Sequence, residues 1–376
     1  MKKLFRYAAL LAVAGTTLFS CSKKSDTINN SQVIETPFSL YFTDSSGVLY
    51  NSNDGKSSKI VFSSDGRPSR ALITMGENLL WIKGQDVALP GPTMYYSINE
   101  GKNFNHDFDS ITSIPMVTNT GKITNLNQSM IIYVPKWDAA YCVTNNPDGQ
   151  NIFGLAGNPL KGLPGYWTRE NYYDTDQITY PHDITTTSLA LTKESVLCAY
   201  DAVHNRSFFR TELLNRWKEA FAGATPLPAA STTTFFSIGH YNNRLIAIDN
   251  LGGSAASPNS NVYYSDDHGS NWSPYTGIPV GVPLQCICSP FEQVCLIGTD
   301  GKGIYMLNAN TGVFEARSNG LPGNASVRGI TFKENIYKNG THTQYVFATT
   351  NMGLYQSSDM GASWVKTIPG NLVSIY

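Results

Sequence analysis

Short runs in which apolar and polar residues alternate, separated by turns rich in Gly, Asn and Asp, extend along most of the chain. An alternation of period two is typical of β-strands with one buried face. Such runs predict strands at residues 38–42, 71–75, 79–84, 130–134, 188–192, 244–249, 295–299 and 344–350. Residues 372–376 predict one more strand. We expect it to pair with the first strand, near residues 37–42, and so to close a ring without open edges.

One stretch has a helical period instead. Leu213, Trp217 and Phe221 recur every four residues within 210–221, and this spacing places three apolar side chains on one face of a helix. The sequence therefore predicts a helix over residues 210–221 that packs on the ring as a decoration.

A repeated pattern, apolar-Tyr-x-Ser-x-Asp/Asn-x-Gly-x-x-aromatic, occurs three times without gaps, at residues 94–104, 262–272 and 354–364. The Ser and Asp or Asn side chains suit hydrogen bonds to the backbone of a turn, and Gly tolerates a positive φ. Each copy thus predicts a hairpin turn whose aromatic residue packs on the outgoing strand. The turn residues are Ser97, Asn99, Gly101, Phe104, Ser265, Asp267, Gly269, Trp272, Ser357, Asp359, Gly361 and Trp364.

This pattern resembles the Asp-box of BNR-repeat proteins, a family that includes sialidases, sortilin-type receptors and photosystem assembly factors. Two further copies, at 49–55 and 304–312, are degenerate. The resemblance implies a β-propeller, an all-β fold of four-stranded antiparallel blades. It also implies that Asp267 and Asp359 stabilise turns on the rim, away from the central pocket.

The spacing of strand tyrosines gives the number of blades. These residues lie at 50, 95, 263, 305 and 355, and Tyr141 and Tyr200 are candidates for the wide gap in the middle. Because a propeller blade takes about 40–50 residues, the spacing predicts seven blades in a single domain over residues 35–376. A count of six or eight follows if one of the middle assignments is wrong.

The N-terminal residues predict an export signal. Lys2, Lys3 and Arg6 precede an apolar stretch that is too short to span a bilayer. The sequence Leu-Phe-Ser-Cys that ends at Cys21 resembles the lipobox of bacterial lipoproteins. That resemblance implies a signal peptide at 1–20, lipidation of Cys21, a flexible tether at 21–34, and attachment to the outer membrane of a Gram-negative bacterium. The protein would face either the cell surface or the periplasm. The alternative is an ordinary secretory signal.

Composition and motifs exclude several function classes. The chain has 376 residues, 15% of them charged, and a net charge of −1, which gives no electrostatic basis for binding nucleic acid. It has no phosphate-binding glycine motif, no G-x-S-x-G and no H-E-x-x-H, so we predict no nucleotide, no cofactor and no resident metal.

The sequence also lacks the marks of a sialidase. Carboxylate recognition in that family depends on an arginine cluster, whereas this chain has ten arginines, and no Arg-Ile-Pro precedes the first copy of the pattern; Arg67 is followed by Pro68 without the rest of the signature. Paired carboxylates drawn from different blades leave no local motif. A glycoside hydrolase or lyase therefore stays as an alternative, with the catalytic residues unknown.

An aromatic-rich segment at about 154–187 interrupts the repeat. A loop of this length in a compact fold is usually functional, and aromatic rings beside carboxylates suit either sugar rings or a protein interface. The ligand-binding candidates are Tyr166, Trp167, Tyr172, Tyr173, Tyr180, Asp174, Asp176 and His182. In the alternative interpretations, the rings pack against the propeller surface, or Asp174, Asp176 and His182 bind a metal, although their spacing fits no known metal motif.

Five cysteines follow Cys21, so at least one thiol is free. If residues 290–293 form a turn, Cys288 faces Cys295, and a disulfide can form between them. Zinc binding and buried free thiols are the other interpretations.

Taken together, the sequence predicts a membrane-anchored, non-catalytic recognition module for a glycan or a partner protein. An outer-membrane assembly scaffold is a further alternative.

Overall fold

The structure is a computed structural model, and it describes residues 33–66, 69–75, 78–83, 93–107, 131–137, 139–143, 152–156, 168–169, 186–201, 204–212, 217–221, 223–228, 236–249, 261–291 and 294–376. Within these ranges the strands are joined by turns, and one short 3-10 turn lies at Pro135–Trp137. No helix in the described part of the chain is long and apolar enough to cross a membrane.

Seven antiparallel sheets, which we call blades 1 to 7, contain the described strands. Blade 1 consists of β29 (Leu372–Ile375), β2 (Leu40–Asp44), β3 (Leu49–Ser52) and β4 (Lys59–Phe62). Blade 2 consists of β5 (Ser69–Met75), β6 (Asn78–Lys83), β7 (Thr93–Ser97) and β8 (Asn105–Asp107). Blade 3 consists of β9 (Ile131–Val134), β10 (Ala139–Val143), β11 (Ile152–Ala156) and β12 (Thr168–Arg169). Blade 4 consists of β13 (Thr186–Leu191), β14 (Leu197–Asp201), β15 (Arg206–Arg210) and β16 (Lys218–Ala220).

The remaining blades follow the same order. Blade 5 consists of β17 (Phe236–Tyr241), β18 (Arg244–Asp249), β19 (Val262–Ser265) and β20 (Ser273–Pro274). Blade 6 consists of β21 (Leu284–Phe291), β22 (Val294–Thr299), β23 (Ile304–Asn308) and β24 (Val313–Ala316). Blade 7 consists of β25 (Val327–Tyr337), β26 (His342–Thr350), β27 (Gly353–Ser357) and β28 (Val365–Pro369). A short strand, β1 (Ile34–Thr36), pairs with the end of β25 at Ile336 and Tyr337. Residues 335–343 and the described residues up to Pro37 form a small unit of their own.

The last strand completes the first blade. Within blade 1, β29 pairs antiparallel with β2, with Phe42 opposite Ile375 and Asp44 opposite Leu372. Two further backbone hydrogen bonds join Tyr41 and Tyr376, at 2.9 and 2.8 Å. The closing strand predicted from residues 372–376 is thus confirmed, as are the all-β class and the four-stranded blades.

The hydrophobic core lies between adjacent blades. One cluster joins Ala190 and Tyr200 of blade 4 to Ile238, Leu245 and Trp272 of blade 5. The second strand of a blade has a hydrogen-bonded neighbour on each side and a blade against each face, so every residue of β14 is buried. This is why the second strands have nearly continuous apolar sequences instead of a strict alternation.

The count of seven blades is right, but two of its markers are not. Tyr141 and Tyr200 lie in β10 and β14, which are second strands, whereas the other marker tyrosines lie in third strands. In blade 4 the equivalent third-strand position is Phe208, which lies opposite Ala199 just as Tyr263 lies opposite Ala247 in blade 5. Because this position is a phenylalanine, the third strand of blade 4 has no tyrosine from which the blade could be counted.

The predicted helix over 210–221 is wrong. Its first residue, Arg210, ends β15, and residues 218–220 form β16, which pairs with β15 through Lys218 and Phe209. Trp217 is buried, but Phe221, on the same face of the expected helix, is 56% exposed. Pairing with a ready sheet edge therefore outweighs the helical spacing of three apolar residues.

Neighbouring blades are joined by a repeated backbone contact that the sequence pattern did not predict. The amides of Trp272, Phe314 and Trp364 donate to the carbonyls of Thr225, Thr276 and Asn319 in the preceding blade's exit loop, at 2.7, 2.8 and 2.8 Å. The three loops share a short motif, polar-x-Leu/Ile-Pro, at residues 225–228, 276–279 and 319–322. We call this contact the interblade clasp.

Two glycines make the clasp dense. A Cβ on Gly277 would lie 2.0 Å from the carbonyl oxygen of Phe314, and a Cβ on Gly320 would lie 2.1 Å from that of Trp364; both residues have positive φ. We expect Gly277→Ala and Gly320→Ala each to lower the free energy of unfolding by about 3 kcal/mol, because strain and backbone overlap add.

The matched control for this prediction is Gly312→Ala. Gly312 also has a positive φ but has open space around its Cβ position, so the cost should be about 1 kcal/mol from backbone conformation alone. Urea unfolding of the three variants measures the difference. Equal losses at all three positions would contradict a role for close packing at the clasp.

Candidate functional site

The two ends of the propeller carry different loops. First strands begin, and second strands end, at one side, which we call the upper face; for example, the amide of Ser45 after β2 bonds the carbonyl of Asn371 before β29. The turns from first to second strand and from third to fourth strand lie at the opposite ends of those strands, on the lower face. Any site near the axis opens towards one of these two faces.

The turns of the repeated Ser-x-Asp/Asn-x-Gly pattern lie on the lower face and are closed by their own side chains. The Ser265 hydroxyl accepts hydrogen bonds from the amides of Asp267 and Gly269, at 3.3 and 2.9 Å, and donates to Asp267 Oδ1 at 2.7 Å. Asp267 Oδ1 also accepts the amide of Asn271 at 2.8 Å. The carboxylate is therefore occupied by the turn that carries it.

The other two full copies have the same geometry. Ser97 and Ser357 accept the amides of Gly101 and Gly361, each at 2.8 Å. Phe104 packs against the core of blade 2, and the Trp272 and Trp364 indoles donate to backbone carbonyls of Gly269 and Arg317. Asn99 shows that an amide can replace the carboxylate, because its Oδ1 accepts the amide of Asn103 at 3.0 Å.

The degenerate copy at 49–55 forms a closely related turn. Ser52 accepts the amide of Gly55 at 2.9 Å, and Asp54 Oδ1 accepts the amides of Lys56 and Ser57, both at 2.8 Å. The copy at 304–312 is different: Asn308 Oδ1 caps the turn through the amides of Asn310 and Thr311. One missing residue is tolerated by the turn, whereas loss of the serine changes its chemistry.

These turns alter the acidity of their carboxylates. Slight burial opposes ionisation of Asp54, but hydrogen bonds from Ser57 and Lys56 outweigh it and lower its pKa to about 2. At Asp359, hydrogen bonds from Ser363 and Ser357 lower the pKa to about 2. Burial raises the pKa of Asp267, but the hydrogen bonds from Asn271 outweigh this effect, so its pKa is lowered as well.

The aromatic-rich segment falls mostly outside the described residues. Tyr166, Trp167, Tyr172, Tyr173, Asp174, Asp176, Tyr180 and His182 all lie there, as does Cys21. Within 154–187 the structure describes the end of β11, the strand β12, which pairs with β11, and the start of β13. The segment thus includes the outermost strand of blade 3 as well as connecting chain.

Four cysteines whose side chains the structure describes are not in disulfides. Cys198, Cys286, Cys288 and Cys295 are free thiols. Cys288 lies opposite Leu296, not Cys295, because the hairpin closes between Phe291 and Val294 and its register shifts. The facing pair expected from a turn at 290–293 is therefore wrong.

The cysteines instead pack in apolar surroundings. Cys288 and Cys295 belong to different core clusters, and burial raises the pKa of Cys198 and Cys295 to about 12. Among the described residues, no group of three His, Cys, Asp or Glu side chains is arranged to hold a metal ion.

A polar cluster occupies the upper face where blades 6, 7 and 1 meet. Arg328 Nη1, on β25, donates to Asn371 Oδ1 at 2.6 Å and to the carbonyl of Leu372 at 3.2 Å. Asn371 Nδ2 in turn donates to Ser45 Oγ at 3.2 Å. Asp300, at the end of β22, is the nearby carboxylate. We call Arg328, Asp300, Asn371 and Ser45 the Arg328 cluster.

The guanidinium is the chemically distinctive member of this cluster. Half-burial lowers the pKa of Arg328 by more than the charge of Asp300 raises it. The guanidinium nevertheless stays protonated, as arginine does in proteins. Its Nε and Nη2 groups make no hydrogen bond to a described residue. A partly desolvated, planar guanidinium is well suited to bind a carboxylate through two parallel hydrogen bonds.

Blade 4 adds a second polar pair on the same face. The Asp201 side chain is fully buried, and its Oδ2 lies 2.7 Å from His204 Nδ1, while the His204 ring is 34% exposed. Asp201 Oδ1 also accepts the amide of His204 at 3.1 Å. A buried carboxylate thus orients an imidazole at the surface.

Comparison with known proteins supports the fold. No protein-family model and no curated protein sequence matches the chain. A catalytically inactive virginiamycin B lyase from Staphylococcus aureus with quinupristin has a TM-score of 0.52 and 11% identity, and the alignment covers 85% of this chain and 94% of the lyase. The fold is that of a β-propeller.

A second propeller aligns less closely. YCF48 bound to D1 peptide has a TM-score of 0.48 and 11% identity, with 84% of this chain and 86% of that chain covered. YCF48 from Cyanidioschyzon merolae gives a TM-score of 0.47 and 12% identity, with 84% and 94% covered. At such identities the similarity concerns the fold and leaves the ligand of this propeller to its own residues.

The carboxylates of Asp54, Asp267 and Asp359 predict how stability depends on pH. Their pKa is lower in the folded protein than in the unfolded chain. Their contribution to the free energy of unfolding is therefore complete above about pH 4 and is lost as the pH falls towards 2. We expect the urea midpoint to drop over this interval, and to drop less in an Asp54→Asn, Asp359→Asn double variant. Identical pH profiles for wild type and double variant would contradict this account.

Proposed function

We propose that the protein is a lipid-anchored recognition module whose upper face binds a glycan carrying a carboxylate. The propeller supplies a rigid ring, and its loops differ from blade to blade, which is how such folds vary their ligands. The proposal joins two supports: the Arg328 cluster and the aromatic-rich segment at 154–187.

The Arg328 cluster is the observation that carries the proposal. Asn371 and Leu372 use only one nitrogen of the guanidinium. Leu372 begins the strand that closes the ring and Asn371 directly precedes it, so the side chain is held at a rigid point. Fixing an arginine before a ligand arrives reduces the entropy lost on binding. Partial burial strengthens the attraction to an incoming carboxylate.

Recognition accounts for the carboxylates better than catalysis does. Asp54, Asp267 and Asp359 are occupied by hydrogen bonds within their own turns, on the face opposite Arg328. Hydrolysis or elimination, the alternative function, needs an acid and a base placed about one substrate. Asp300 is one carboxylate beside Arg328, and the cluster offers it no described partner for that task.

The anchor and location rest on the sequence. The basic residues at 2–6, the short apolar stretch and Cys21 support a lipoprotein in the outer membrane. The polar residues 22–32 support a tether that lets the propeller turn above the lipid. Metabolic labelling with a fatty-acid analogue tests this part: the wild type should be labelled and Cys21→Ala should not.

A glycan array of residues 33–376 tests the recognition. Wild type should bind glycans that contain uronic or sialic acids. Arg328→Lys keeps the positive charge but loses the planar fork, and should weaken binding at least tenfold. Arg244→Lys is the matched control, because Arg244 pairs with Asp266 at 2.7 Å on the lower face and its loss should leave binding unchanged.

Two more variants separate the contribution of the segment at 154–187 from that of the Arg328 cluster. Trp167→Ala and Tyr173→Ala remove aromatic candidates of the segment, and weakened binding in these variants would assign the sugar contacts to it. If Arg328→Lys binds as well as wild type, Arg328 is not the carboxylate site. No binding anywhere on the array would overturn the glycan proposal, and an acidic peptide library would then test a protein ligand.

A further inference from the structure

Two side chains of opposite charge share one face of the chain where blades 6 and 7 meet. Asp300, which directly follows β22, forms an antiparallel bridge with Ser326, one residue before β25. Residues opposite each other in such a bridge point to the same side, and so does the residue two positions further along. Arg328 is that residue. The burial pattern agrees, because Asp300, Ser326 and Arg328 are partly exposed whereas Val327 is buried.

The Arg328 guanidinium is held towards blade 1 and not towards Asp300. Its hydrogen bonds go to Asn371 and Leu372 of that blade, whereas Asp300 follows a strand of blade 6, on the other side of blade 7. Diagonal partners across an antiparallel bridge have Cα atoms about 7–8 Å apart. The two charges are therefore close enough to influence each other without touching.

The Asp300 carboxylate is left without a direct partner. Among the residues that the structure describes, it makes no hydrogen bond and no ion pair. Lys302, two residues further on, is exposed and forms no ion pair with it in the described structure. A guanidinium with free N–H groups thus lies near a carboxylate with free oxygens.

Ser326 lies between the two charges and is held by its backbone. Its amide donates to Asn351 Oδ1 at 2.9 Å, and its carbonyl accepts the amide of Asn351 at 3.3 Å. The amide of Asp300 donates to the carbonyl of Pro283 at 2.9 Å. Ser326 Oγ bonds no residue that the structure describes, so its hydroxyl is available to a ligand at a position that the fold has already set.

We propose that the ligand of the Arg328 cluster is a zwitterion, namely an acidic sugar that also carries a free amino group. The inference rests on the proposed carboxylate recognition and adds a second charged contact to it. The carboxylate of the sugar pairs with the Arg328 guanidinium, and its ammonium pairs with the Asp300 carboxylate. A hydroxyl between the two charges bonds Ser326 Oγ.

Electrostatics favour a zwitterion over a simple anion at this site. Arg328 and Asp300 together carry no net charge, so a ligand with only a carboxylate is attracted by one and repelled by the other. An ammonium beside Asp300 turns that repulsion into attraction. Acetylation of the amine removes its charge and restores the repulsion, which is how the site would discriminate between otherwise similar sugars.

Titration calorimetry of the full-length protein at pH 7 with three sugars tests the inference. Muramic acid carries a carboxylate and a free amine on neighbouring ring positions. N-acetylmuramic acid keeps the carboxylate but has a neutral amide in place of the amine, and glucosamine has the amine without the carboxylate. We expect muramic acid to bind at least tenfold more tightly than either of the others.

Two variants assign the preference to its cause. Asp300→Ala should abolish the preference for muramic acid, because it removes the partner of the ammonium and the repulsion of the acetylated acid. Asp266→Ala is the matched control: it removes the same charge on the lower face, where Asp266 pairs with Arg244, and should leave the preference unchanged. The comparison of sugars in the wild type needs no variant, so a misfolded Asp300→Ala leaves the test valid.

The outcomes separate this inference from the proposed function. Equal binding of the two muramic acids, or tighter binding of the acetylated one, would overturn the zwitterion and leave carboxylate recognition standing. The same holds if neither binds although uronic or sialic acids bind on the array. A preference that persists in folded Asp300→Ala would also overturn the inference. If no acidic sugar binds in either experiment, the inference and the proposed function fail together.

Discussion

The pairing of β29 with β2 is the constraint on which the ring depends. Six blades are built from consecutive strands, but blade 1 takes its innermost strand from the end of the described chain. Without that strand, β2 would present an open edge, and Phe347 and Leu354 of blade 7 would lose the packing of Leu372 and Ile375. The pairing also places Asn371 beside Arg328. Closure thus positions the polar groups near the axis as well as holding the blades together.

Between the other blades, the structure uses local chemistry and backbone contact together. A turn of the repeated pattern satisfies its own amides through one serine and one carboxylate, so the residue after it leaves the turn in a fixed direction. In blades 5 and 7 that residue is a tryptophan whose amide makes the interblade clasp. A turn motif that looks purely local therefore also sets the distance between neighbouring blades.

The sequence predicted most of what depends on neighbours along the chain. Strands, hairpin turns, the closing strand and the blade count follow from alternation, turn residues and spacing. It failed where tertiary pairing decides: residues 218–220 join a sheet in spite of a helical pattern, and the hairpin register separates Cys288 from Cys295. It also could not find the Arg328 cluster, because Ser45, Asp300, Arg328 and Asn371 carry no shared motif and meet only through closure.

The closing pair has a further consequence for how the protein is made. Blade 1 begins at residue 40 and stays one strand short until residue 375 has been synthesised, so the ring cannot close before then. Up to that point β2 remains an unpaired edge, open to wrong partners.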